Sequence, residues 1–283
     1  MLCQEIRYSI LSKLPAAGRH QNIINLVNGG HGMSIVAMAE TLGVSAETVR
    51  RDLVALERDG MLRRVYGGAI PSDRTAPLSD RLLMERKEKQ AIGRKVASLI
   101  KAEQWIFITG GSSSLAVAEA MRDGPTVSVM TNMPDIGEAL EAGKRHKVYF
   151  TAGEYDSSSK MLLGDEVFDA LRNCSFDLSI VGVYGIDTAF GLVEDSRHNM
   201  RLKTQVVGQS RDAVYIADHT KIDAPARYQS IPFSQIGTFI TDRLLSPNVF
   251  ALFEEAGTKV LYPDSSDTNM PEPSQNPEGT NNE

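Results

Sequence analysis

A loop rich in glycine and hydroxyl residues lies between an apolar run and an amphipathic run. It consists of Thr109, Gly110, Gly111, Ser112, Ser113 and Ser114. In a loop between a strand and a helix, backbone N–H groups and the helix N-terminus together bind an anion such as phosphate. No lysine follows the serines, so the loop is not a Walker A motif. The same residues would suit an ordinary connector, so the local sequence leaves both interpretations open.

Five further apolar runs end in glycine or polar residues. The residues at these ends are Thr131, Asn132, Gly153, Glu154, Gly182, Gly185, Asp187, Asp218, Lys221 and Asp242. Open α/β sheets bind ligands beyond the carboxyl ends of their parallel strands, where such residues would gather. Each residue alone would also suit a turn or a helix cap. Their repetition in one region favours a ligand-binding site.

A second set of polar residues lies opposite an apolar stripe on a helical run. The stripe is formed by Val49, Leu53 and Leu56, and the polar residues opposite it are Glu47, Thr48, Arg50 and Arg51. Residues in the N-terminal half of a helix reach base edges in the DNA major groove, where arginine pairs with guanine or phosphate. An exposed arginine pair is equally typical of a solvated helix surface, so periodicity alone does not decide between the two.

Two helices and a hairpin would position these side chains. Ser34 is a suitable N-cap for the first helix and Ser45 for the second, with only Gly43 and Val44 between the two helices. A strand, a Gly-Gly turn and a second short strand follow, so the segment is predicted to be a winged helix-turn-helix. From the caps and the wing we expect DNA contacts by Ser34, Ser45, Arg63, Arg64, Tyr66, Gly67 and Gly68.

The chain is predicted to contain two domains, a linker and a tail. Residues 16–70 carry helical periodicity and the hairpin, whereas residues 71–80 have no periodicity and are typical of a linker. Residues 81–262 alternate strand and helix patterns, which predicts an α/β domain. Residues 263–283 hold only one large apolar residue and five acidic residues, so they are predicted to be a disordered acidic tail.

Composition excludes several classes of protein. The net charge of −6 does not fit a protein that coats nucleic acid, although residues up to 70 hold eight Lys+Arg against six Asp+Glu. No run is long and apolar enough to span a membrane, and the N-terminus lacks a secretion-signal pattern, so a cytoplasmic protein is expected. Two distant cysteines and scattered histidines match no metal-ligand spacing, so we expect no metal and no cofactor.

The segment SIVAMAETLGVSAETVRRDLVALERDGMLRRVYGGAI resembles the N-terminal domain of the DeoR family of bacterial transcriptional regulators. That family is marked by LGVS-x-x-T-[IV]-RRDL-x-x-L-E-x-x-G-x-L-x-R-x-[HY]-GGA. The match runs almost without a gap from Leu42 to Ala69. At Tyr66 the family more often has histidine, and an aromatic ring preserves the packing role.

The resemblance continues into the second domain and covers roughly residues 19–245. It includes the Gly/Ser loop and the strand ends described above, and it adds Lys203. The resemblance implies a C-terminal α/β sensor domain that looks like ribose-5-phosphate isomerase and binds phosphorylated sugars. It also implies roles for two groups of residues. Gly111, Ser112 and Ser113 would hold the phosphate, and Asp187, Lys203 and Lys221 would line the sugar end.

Two departures from the family pattern concern the implied pocket. Thr109 stands where the family commonly has aspartate, and Asn199 stands where it usually has glutamate. Each change removes a carboxylate, a group that accepts hydrogen bonds from sugar hydroxyls or acts as a base. We therefore hypothesise a preference for a more anionic ligand or a bulkier phosphate ester. Unchanged affinity for simple sugar monophosphates after Thr109→Asp and Asn199→Glu would contradict this hypothesis.

The expected function is that of a repressor of a carbohydrate-metabolism operon. Its partners would be double-stranded operator DNA, a phosphorylated sugar effector and further copies of the chain in a homo-dimer or homo-tetramer. One alternative is a sugar-phosphate isomerase with a fused DNA-binding arm, for which Glu154 and Asp187 are candidate bases. A second alternative is a protein-interaction module that does not bind DNA. The regulator, which is not an enzyme, is the interpretation that we favour.

Overall fold

The structure is a computed structural model that describes residues 16–28, 33–58, 61–71, 78–143, 145–224 and 227–264. The predicted acidic tail lies outside the described residues from position 265 onward. Most of the predicted linker, residues 72–77, also lies outside them.

The N-terminal domain is a winged helix-turn-helix, as predicted. Its elements are α1 (Ala16–Asn28), β1 (Met33–Ser34), α2 (Ile35–Leu42), α3 (Ala46–Arg58), β2 (Leu62–Val65) and β3 (Gly68–Pro71). The three strands form an antiparallel sheet in the order β1-β3-β2. One apolar core joins all three helices to the hairpin, and it includes the predicted stripe of α3.

Local sequence explains where α2 begins and ends and where α3 begins. Ser34 Oγ accepts a hydrogen bond from Ala37 N at 3.2 Å, which caps α2. Gly43 ends α2 in the left-handed conformation, with φ of 65°, which glycine adopts without steric cost. Ser45 Oγ then accepts a hydrogen bond from Thr48 N at 3.1 Å and caps α3. The predicted caps of the two helices are confirmed.

The C-terminal domain is built around a parallel sheet with helices on both faces. Its helices are α4 (Leu78–Leu83), α5 (Arg86–Ala97), α6 (Ser112–Met121), α7 (Pro134–Glu141), α8 (Asp165–Leu171), α9 (Arg197–Gly208) and α10 (Pro247–Glu255), with 3-10 turns at His219–Lys221 and Phe233–Gln235. Its strands are β4 (Trp105–Ile108), β5 (Ser128–Thr131), β6 (Lys147–Phe150), β7 (Glu154–Asp156), β8 (Met161–Leu163), β9 (Phe176–Gly182), β10 (Gly185–Asp187), β11 (Gly191–Glu194), β12 (Ser210–Ile216), β13 (Tyr228–Ile231), β14 (Thr238–Ile240) and β15 (Lys259–Leu261).

Seven of these strands form the main sheet in the order β15-β14-β12-β9-β4-β5-β6, and every pair is parallel. The carboxyl ends of the strands therefore meet at one edge. Two small antiparallel sheets, β10-β11-β13 and β7-β8, complete the domain. The predicted α/β fold class is confirmed.

Alternate residues of β4 serve opposite faces of the sheet. Ile106 and Ile108 pack into one apolar cluster with residues of α5, α6 and α7. Phe107 belongs to another cluster with residues of α8 and α9. This alternation is the two-residue period of a strand that is buried on both faces.

The helix α4 begins at Leu78, ahead of the expected domain start at residue 81. Leu78 is 1% exposed and packs into the core beneath the sheet, and its N–H donates to the Ser158 carbonyl at 3.0 Å. Across the described residues, no helix is long and apolar enough to cross a membrane.

Candidate functional site

The exposed face of α3 carries the predicted recognition residues. The side chains of Arg50 and Arg51 are 57% and 80% exposed, and both lie beside Glu47. Arg50 Nη1 is 3.4 Å from Glu47 Oε2, and Arg51 Nε is 3.5 Å from Glu47 Oε1. Thr48 takes part in the N-cap instead, with Oγ1 2.9 Å from Ser45 Oγ. One carboxylate thus holds two arginines at the N-terminal half of the helix.

The hairpin places its predicted residues in different environments. Tyr66 is fully exposed at the tip, where Gly67 makes the turn with φ of 80°. Arg64 folds back onto α3, and its Nε donates to Glu57 Oε2 at 2.6 Å. This hydrogen bond lowers the pKa of the Glu57 carboxyl group below its ordinary value. Arg63 lies in β2, where its backbone pairs with β3.

A close backbone contact joins the hairpin to the body of the domain. Gly68 in β3 pairs with Ser34 in β1. A Cβ at Gly68 would approach the Met33 carbonyl oxygen to 2.3 Å, so a larger residue would separate the two strands. Ser34 and Gly68 therefore fix the position of the wing relative to α2.

Asp52 is a buried carboxylate that sequence reasoning missed. Its Oδ2 accepts from Arg19 Nε at 2.6 Å and its Oδ1 accepts from Arg19 Nη2 at 3.0 Å. His20 Nε2 lies 3.0 Å from the same Oδ1. Burial by itself would raise the pKa of Asp52. The hydrogen bonds and charges of Arg19 and His20 lower it by a larger amount, so the pKa lies below the ordinary value. Asp52 joins α3 to α1 and thus supports the helix that carries the arginines.

The Gly/Ser loop leaves β4 at the carboxyl edge of the main sheet. Thr109 Oγ1 accepts a hydrogen bond from Gly182 N at 2.9 Å and donates to the Ile180 carbonyl at 3.4 Å. Both partners belong to β9, so the Thr109 hydroxyl joins neighbouring strands. Gly110 N donates to Asn132 Oδ1 at 2.9 Å, which joins the loop to the end of β5.

The rest of the loop forms the N-terminus of α6. Gly111 has φ of 146° and precedes the helix, and no atom would lie within 4 Å of a Cβ there. The N–H groups of Ser112, Ser113 and Ser114 begin the helix and have no partner within it. Ser114 Oγ is buried and finds no hydrogen-bond partner among the described residues. This strand-loop-helix geometry is suited to an anion.

Several predicted pocket residues support the neighbouring backbone. Asn132 Nδ2 donates to the Leu162 carbonyl at 3.5 Å, and Thr131 Oγ1 accepts from a backbone N–H two residues later at 3.2 Å. Both side chains are fully buried. Gly153 has φ of 124°, and a Cβ there would come within 2.3 Å of the Leu163 carbonyl oxygen. These residues tie β4, β5 and β8 together at the loop.

Glu154, Gly185 and Asp187 lie in the small antiparallel sheets. Glu154 begins β7 and is exposed, and Gly185 begins β10. Asp187 Oδ1 accepts hydrogen bonds from Ala189 N at 2.8 Å and Phe190 N at 3.2 Å. Asp187 therefore stabilises the turn between β10 and β11.

Lys203 forms a buried ion pair with Glu194, a residue that sequence reasoning missed. Lys203 Nζ on α9 donates to Glu194 Oε1 at the end of β11, and both side chains are at least nine-tenths buried. Burial raises the pKa of Glu194 despite the neighbouring ammonium group. Glu194 Oε2 finds no hydrogen-bond partner among the described residues.

A second buried cluster forms where β12 ends. Asp218 Oδ1 accepts from the N–H and the hydroxyl of Thr220, and Asp218 Oδ2 lies 4.0 Å from Lys89 Nζ. Burial raises the pKa of Asp218, but Lys221, Thr220 and Lys89 lower it, so the pKa falls below the ordinary value. One residue further along the chain, His219 N donates to Asp242 Oδ1 at 2.7 Å. The ends of β12 and β14 therefore meet here.

Lys89 belongs to the pocket region but was missed from the sequence. It lies on α5 at the edge of a cleft that Ser112 also lines. The sequence did contain a signal for its burial, because Lys89, Ile92 and Val96 are spaced three and four residues apart and so lie on one face of a helix. All three are buried in the structure. A lysine within such an apolar stripe needs a specific partner, which the sequence alone does not identify.

The predicted effector residues thus form two groups. The Gly/Ser loop, Asn132 and Gly182 share direct hydrogen bonds, and Asp218 lies among Lys89, Lys221 and Thr220. Lys203, Asp187 and Glu154 are instead engaged with Glu194, with a turn and with a hairpin strand. Within the described ranges, no group of three or more potential metal-ligating side chains occurs.

The comparisons with known families match both domains. The DeoR-like helix-turn-helix domain matches residues 19–75, and the DeoR C terminal sensor domain matches residues 84–243. The glycerol-3-phosphate regulon repressor of Escherichia coli (strain K12) is 30% identical over 226 residues, which are 79% of this chain and 90% of that protein. The HTH-type transcriptional repressor GlcR of Bacillus subtilis (strain 168) is 29% identical over 223 residues, which are 78% and 86% of the two chains.

Two solved structures resemble parts of the chain at low sequence identity. Ribose 5 phosphate isomerase A from Neisseria gonorrhoeae has a TM-score of 0.36 at 16% identity, over 48% of this chain and 53% of that chain. The probable sor operon regulator from Shigella flexneri has a TM-score of 0.38 at 11% identity, over 65% and 87% of the two chains.

A DNA-binding domain precedes a sensor domain in this chain, and the relatives that align with both domains are transcriptional repressors. The chain is a transcriptional regulator that belongs to the DeoR family.

Proposed function

We propose that this regulator represses a carbohydrate-metabolism operon under the control of a phosphorylated sugar or a related phosphate ester. The proposal rests on the presence of a DeoR-like helix-turn-helix domain and a DeoR C terminal sensor domain in one chain. The name of the relative that regulates a glycerol-3-phosphate regulon supports a phosphate ester as the effector. Because its target is the chromosome, the protein would act in the cytoplasm.

The proposed DNA contacts come from α3 and the wing. Arg50 and Arg51 would reach base edges or phosphates in the major groove, and Arg63, Arg64 and Tyr66 would follow the DNA backbone. One such module buries too little surface for operator specificity, so we propose a homo-dimer or homo-tetramer on repeated half-sites.

The proposed effector site lies at the carboxyl edge of the sheet. Gly111, Ser112 and Ser113 would hold the phosphate through the N–H groups that begin α6. Lys221 and Asp218 would face the sugar, since they lie at the end of β12 on the same edge. Lys203 would act through its ion pair with Glu194, which orders β11 and α9.

We propose no catalytic role for this site. A sugar-phosphate isomerase needs a carboxylate base positioned at the substrate. Of the two candidate bases, Asp187 accepts two hydrogen bonds within its own turn, and Glu154 lies exposed in a hairpin strand. A coupled assay that detects conversion of aldose to ketose phosphates would contradict this part of the proposal.

A gel-shift experiment tests the proposed function. The purified chain is titrated onto the DNA upstream of its own gene, with and without each member of a panel of sugar phosphates. We expect specific binding that one member of the panel weakens or strengthens. The same panel is screened by thermal shift, because a ligand that binds only the folded state raises stability. Absence of DNA binding even at low salt would refute the proposal.

A further inference from the structure

A cleft of about 260 Å³ opens between α4, α5 and α6. Arg86 and Lys89 line it from the first turns of α5, and Ser112 lines it from the start of α6. The positive ends of two helix dipoles therefore meet at the cleft. Among the described residues that line it, Glu119 carries the one negative charge. The cleft is thus suited to an anion and is continuous with the N-terminus of α6.

Lys89 is the buried cation of this cleft. Its Nζ donates to the Arg81 carbonyl at 2.7 Å and to the Met84 carbonyl at 2.6 Å. A lysine ammonium has three N–H groups, and the remaining direction includes Asp218 Oδ2 at 4.0 Å. Burial lowers the pKa of Lys89 to about 8, and Asp218 opposes that shift. The ammonium therefore persists at neutral pH and makes hydrogen bonds with the end of α4.

These bonds are part of what holds α4 in place. Leu78 and Leu82 also pack into the apolar core, and the partly buried side chain of Arg81 lies near Asp195 and Tyr184. At its start, Leu78 N donates to the Ser158 carbonyl, and at its end the carbonyls of Arg81 and Met84 accept from Lys89. The turn from α4 into α5 passes through Glu85, a non-glycine residue in the left-handed region with φ of 47°. Such a conformation persists only where neighbouring contacts hold it.

The position of α4 in the chain gives these contacts a consequence. Six residues separate Leu78 from the end of the wing strand β3 at Pro71. The helix α4 forms one wall of the cleft with Leu82 and Leu83. Among the residues that the structure describes, it is the first helix after the DNA-binding domain. A displacement of α4 would therefore occur within six residues of the DNA-binding domain along the chain.

We propose that the anionic group of the effector binds in this cleft to Lys89 and Arg86, and that binding releases α4 from Lys89 and so couples the sensor to the DNA-binding domain. This inference rests on the proposed function only in taking an anionic effector at the N-terminus of α6. It adds Arg86 and Lys89 as binding residues and α4 as the element that responds.

The chemical reason is competition for one ammonium group. A phosphate oxygen carries charge, and a charge-assisted hydrogen bond is shorter and roughly twice as strong as one to a neutral carbonyl. An anion in the cleft therefore draws Lys89 Nζ from the Arg81 and Met84 carbonyls. Without those hydrogen bonds, fewer contacts stabilise the left-handed conformation of Glu85, and α4 moves between its position in this structure and other positions.

Hydrogen exchange on the full chain tests the inference without operator DNA. Inorganic phosphate is the probe, compared with chloride at equal ionic strength, and binding is measured separately by calorimetry. We expect millimolar phosphate to bind and to speed exchange of the α4 amides by about ten-fold, since local opening becomes easier. Absence of phosphate binding, or binding with unchanged or increased protection of α4, would overturn the inference.

Two variants in the same cleft separate the two roles. In Lys89→Met, α4 should exchange fast already without phosphate, and phosphate should add nothing. In the matched variant Arg86→Gln, phosphate should bind more weakly. At saturating phosphate, the exchange of the α4 amides should still increase as in the wild type, because Arg86 makes no hydrogen bond to α4 among the described contacts. A wild-type response of α4 to phosphate in folded Lys89→Met protein would overturn the role of Lys89.

Operator binding is measured independently of these readouts. If the wild type fails to bind DNA, the proposed function is refuted whatever α4 does. If an effector changes operator affinity to the same extent in wild type and in Lys89→Met, the proposed function stands and the coupling role assigned to Lys89 and α4 is wrong.

Discussion

At the scale of single residues, Asp52 links α3, the proposed recognition helix, to α1. It accepts both Arg19 bonds and lies beside His20 in a largely buried position. We expect Asp52→Asn to reduce the free energy of unfolding of the N-terminal domain by about 2 kcal/mol, because Arg19 loses its charged partner. Hydrogen exchange of the α1 and α3 amides in the full chain measures this loss separately from the sensor domain.

The same substitution changes the pH dependence. The pKa of Asp52 is lower in the folded state than the unfolded value of about 3.9. Its contribution to stability is therefore present above that value and is lost as pH falls through the folded pKa. The stability of Asp52→Asn should therefore lack this dependence on acid pH.

Asp123→Asn, at an exposed pair with Arg122, is the control and should change the free energy of unfolding by less than about 0.5 kcal/mol.

Thr109 was interpreted from the sequence as a ligand-contacting position, and the structure gives its hydroxyl two protein partners. It accepts from Gly182 N and donates to the Ile180 carbonyl. We expect Thr109→Val to lower the free energy of unfolding by about 1–3 kcal/mol, since a buried N–H then lacks an acceptor.

The serine variant is the control for this prediction. Thr109→Ser keeps the hydroxyl and should lose less stability than Thr109→Val, as measured by thermal unfolding. If Thr109→Val keeps its stability and only loses affinity for sugar phosphates, the hydroxyl contacts the effector instead of joining β4 to β9.

At the scale of elements, α3 presents Arg50 and Arg51 together with Glu47. We expect Arg50→Ala or Arg51→Ala to weaken operator binding by about 1–3 kcal/mol where the arginine pairs with a base, and to lower the salt dependence where it contacts a phosphate. Gel shifts at several salt concentrations distinguish the two cases. Either result would exclude a protein-interaction module that does not bind DNA.

Arg172→Ala is a matched control for these substitutions. Arg172, the residue that follows α8, also pairs with an acidic residue three positions earlier and is 73% exposed, but it lies in the sensor domain. Its removal should leave operator affinity unchanged. An equal loss of affinity in Arg172→Ala would mean that exposed arginines act only through general charge.

The elements show which features the sequence could predict. Ser34, Gly43 and Ser45 act through neighbours within a few residues, so local pattern was sufficient to place both ends of α2 and the start of α3. Lys89 and Glu194 depend on partners that folding brings together from distant segments, and a single sequence does not reveal such pairs. The first three residues of α4, residues 78–80, were interpreted as linker because the contacts that anchor α4, from Ser158 and from Lys89, are also made by tertiary structure.

At the scale of the whole molecule, charge is distributed unevenly along the chain. Residues up to 70 hold eight Lys+Arg against six Asp+Glu, whereas the rest of the chain is acidic and brings the net charge to −6. Because screening limits the reach of exposed charge to about 10 Å at ordinary salt, acidic residues elsewhere in the chain do not prevent local contact between α3 and DNA. Residues 81–262 hold 21 Lys+Arg against 23 Asp+Glu, and residues 263–283 hold five acidic residues and no basic one, so the N-terminal domain is the part of the chain with a positive balance.

The described part of each chain offers one helix, α3, for the proposed base contacts, so the proposed tight binding needs two copies of the chain on one operator. The helices of a two-fold dimer face the same side of the DNA only when the half-sites lie about 10–10.5 bp apart or a multiple of this. Inserting about half a helical turn between the half-sites should therefore weaken binding about 100-fold, and a full turn should restore part of it. Gel shifts on these operators, with light scattering to measure the oligomer, test the prediction. Equal affinity for one isolated half-site and for the complete operator would show that the chain binds DNA as a monomer.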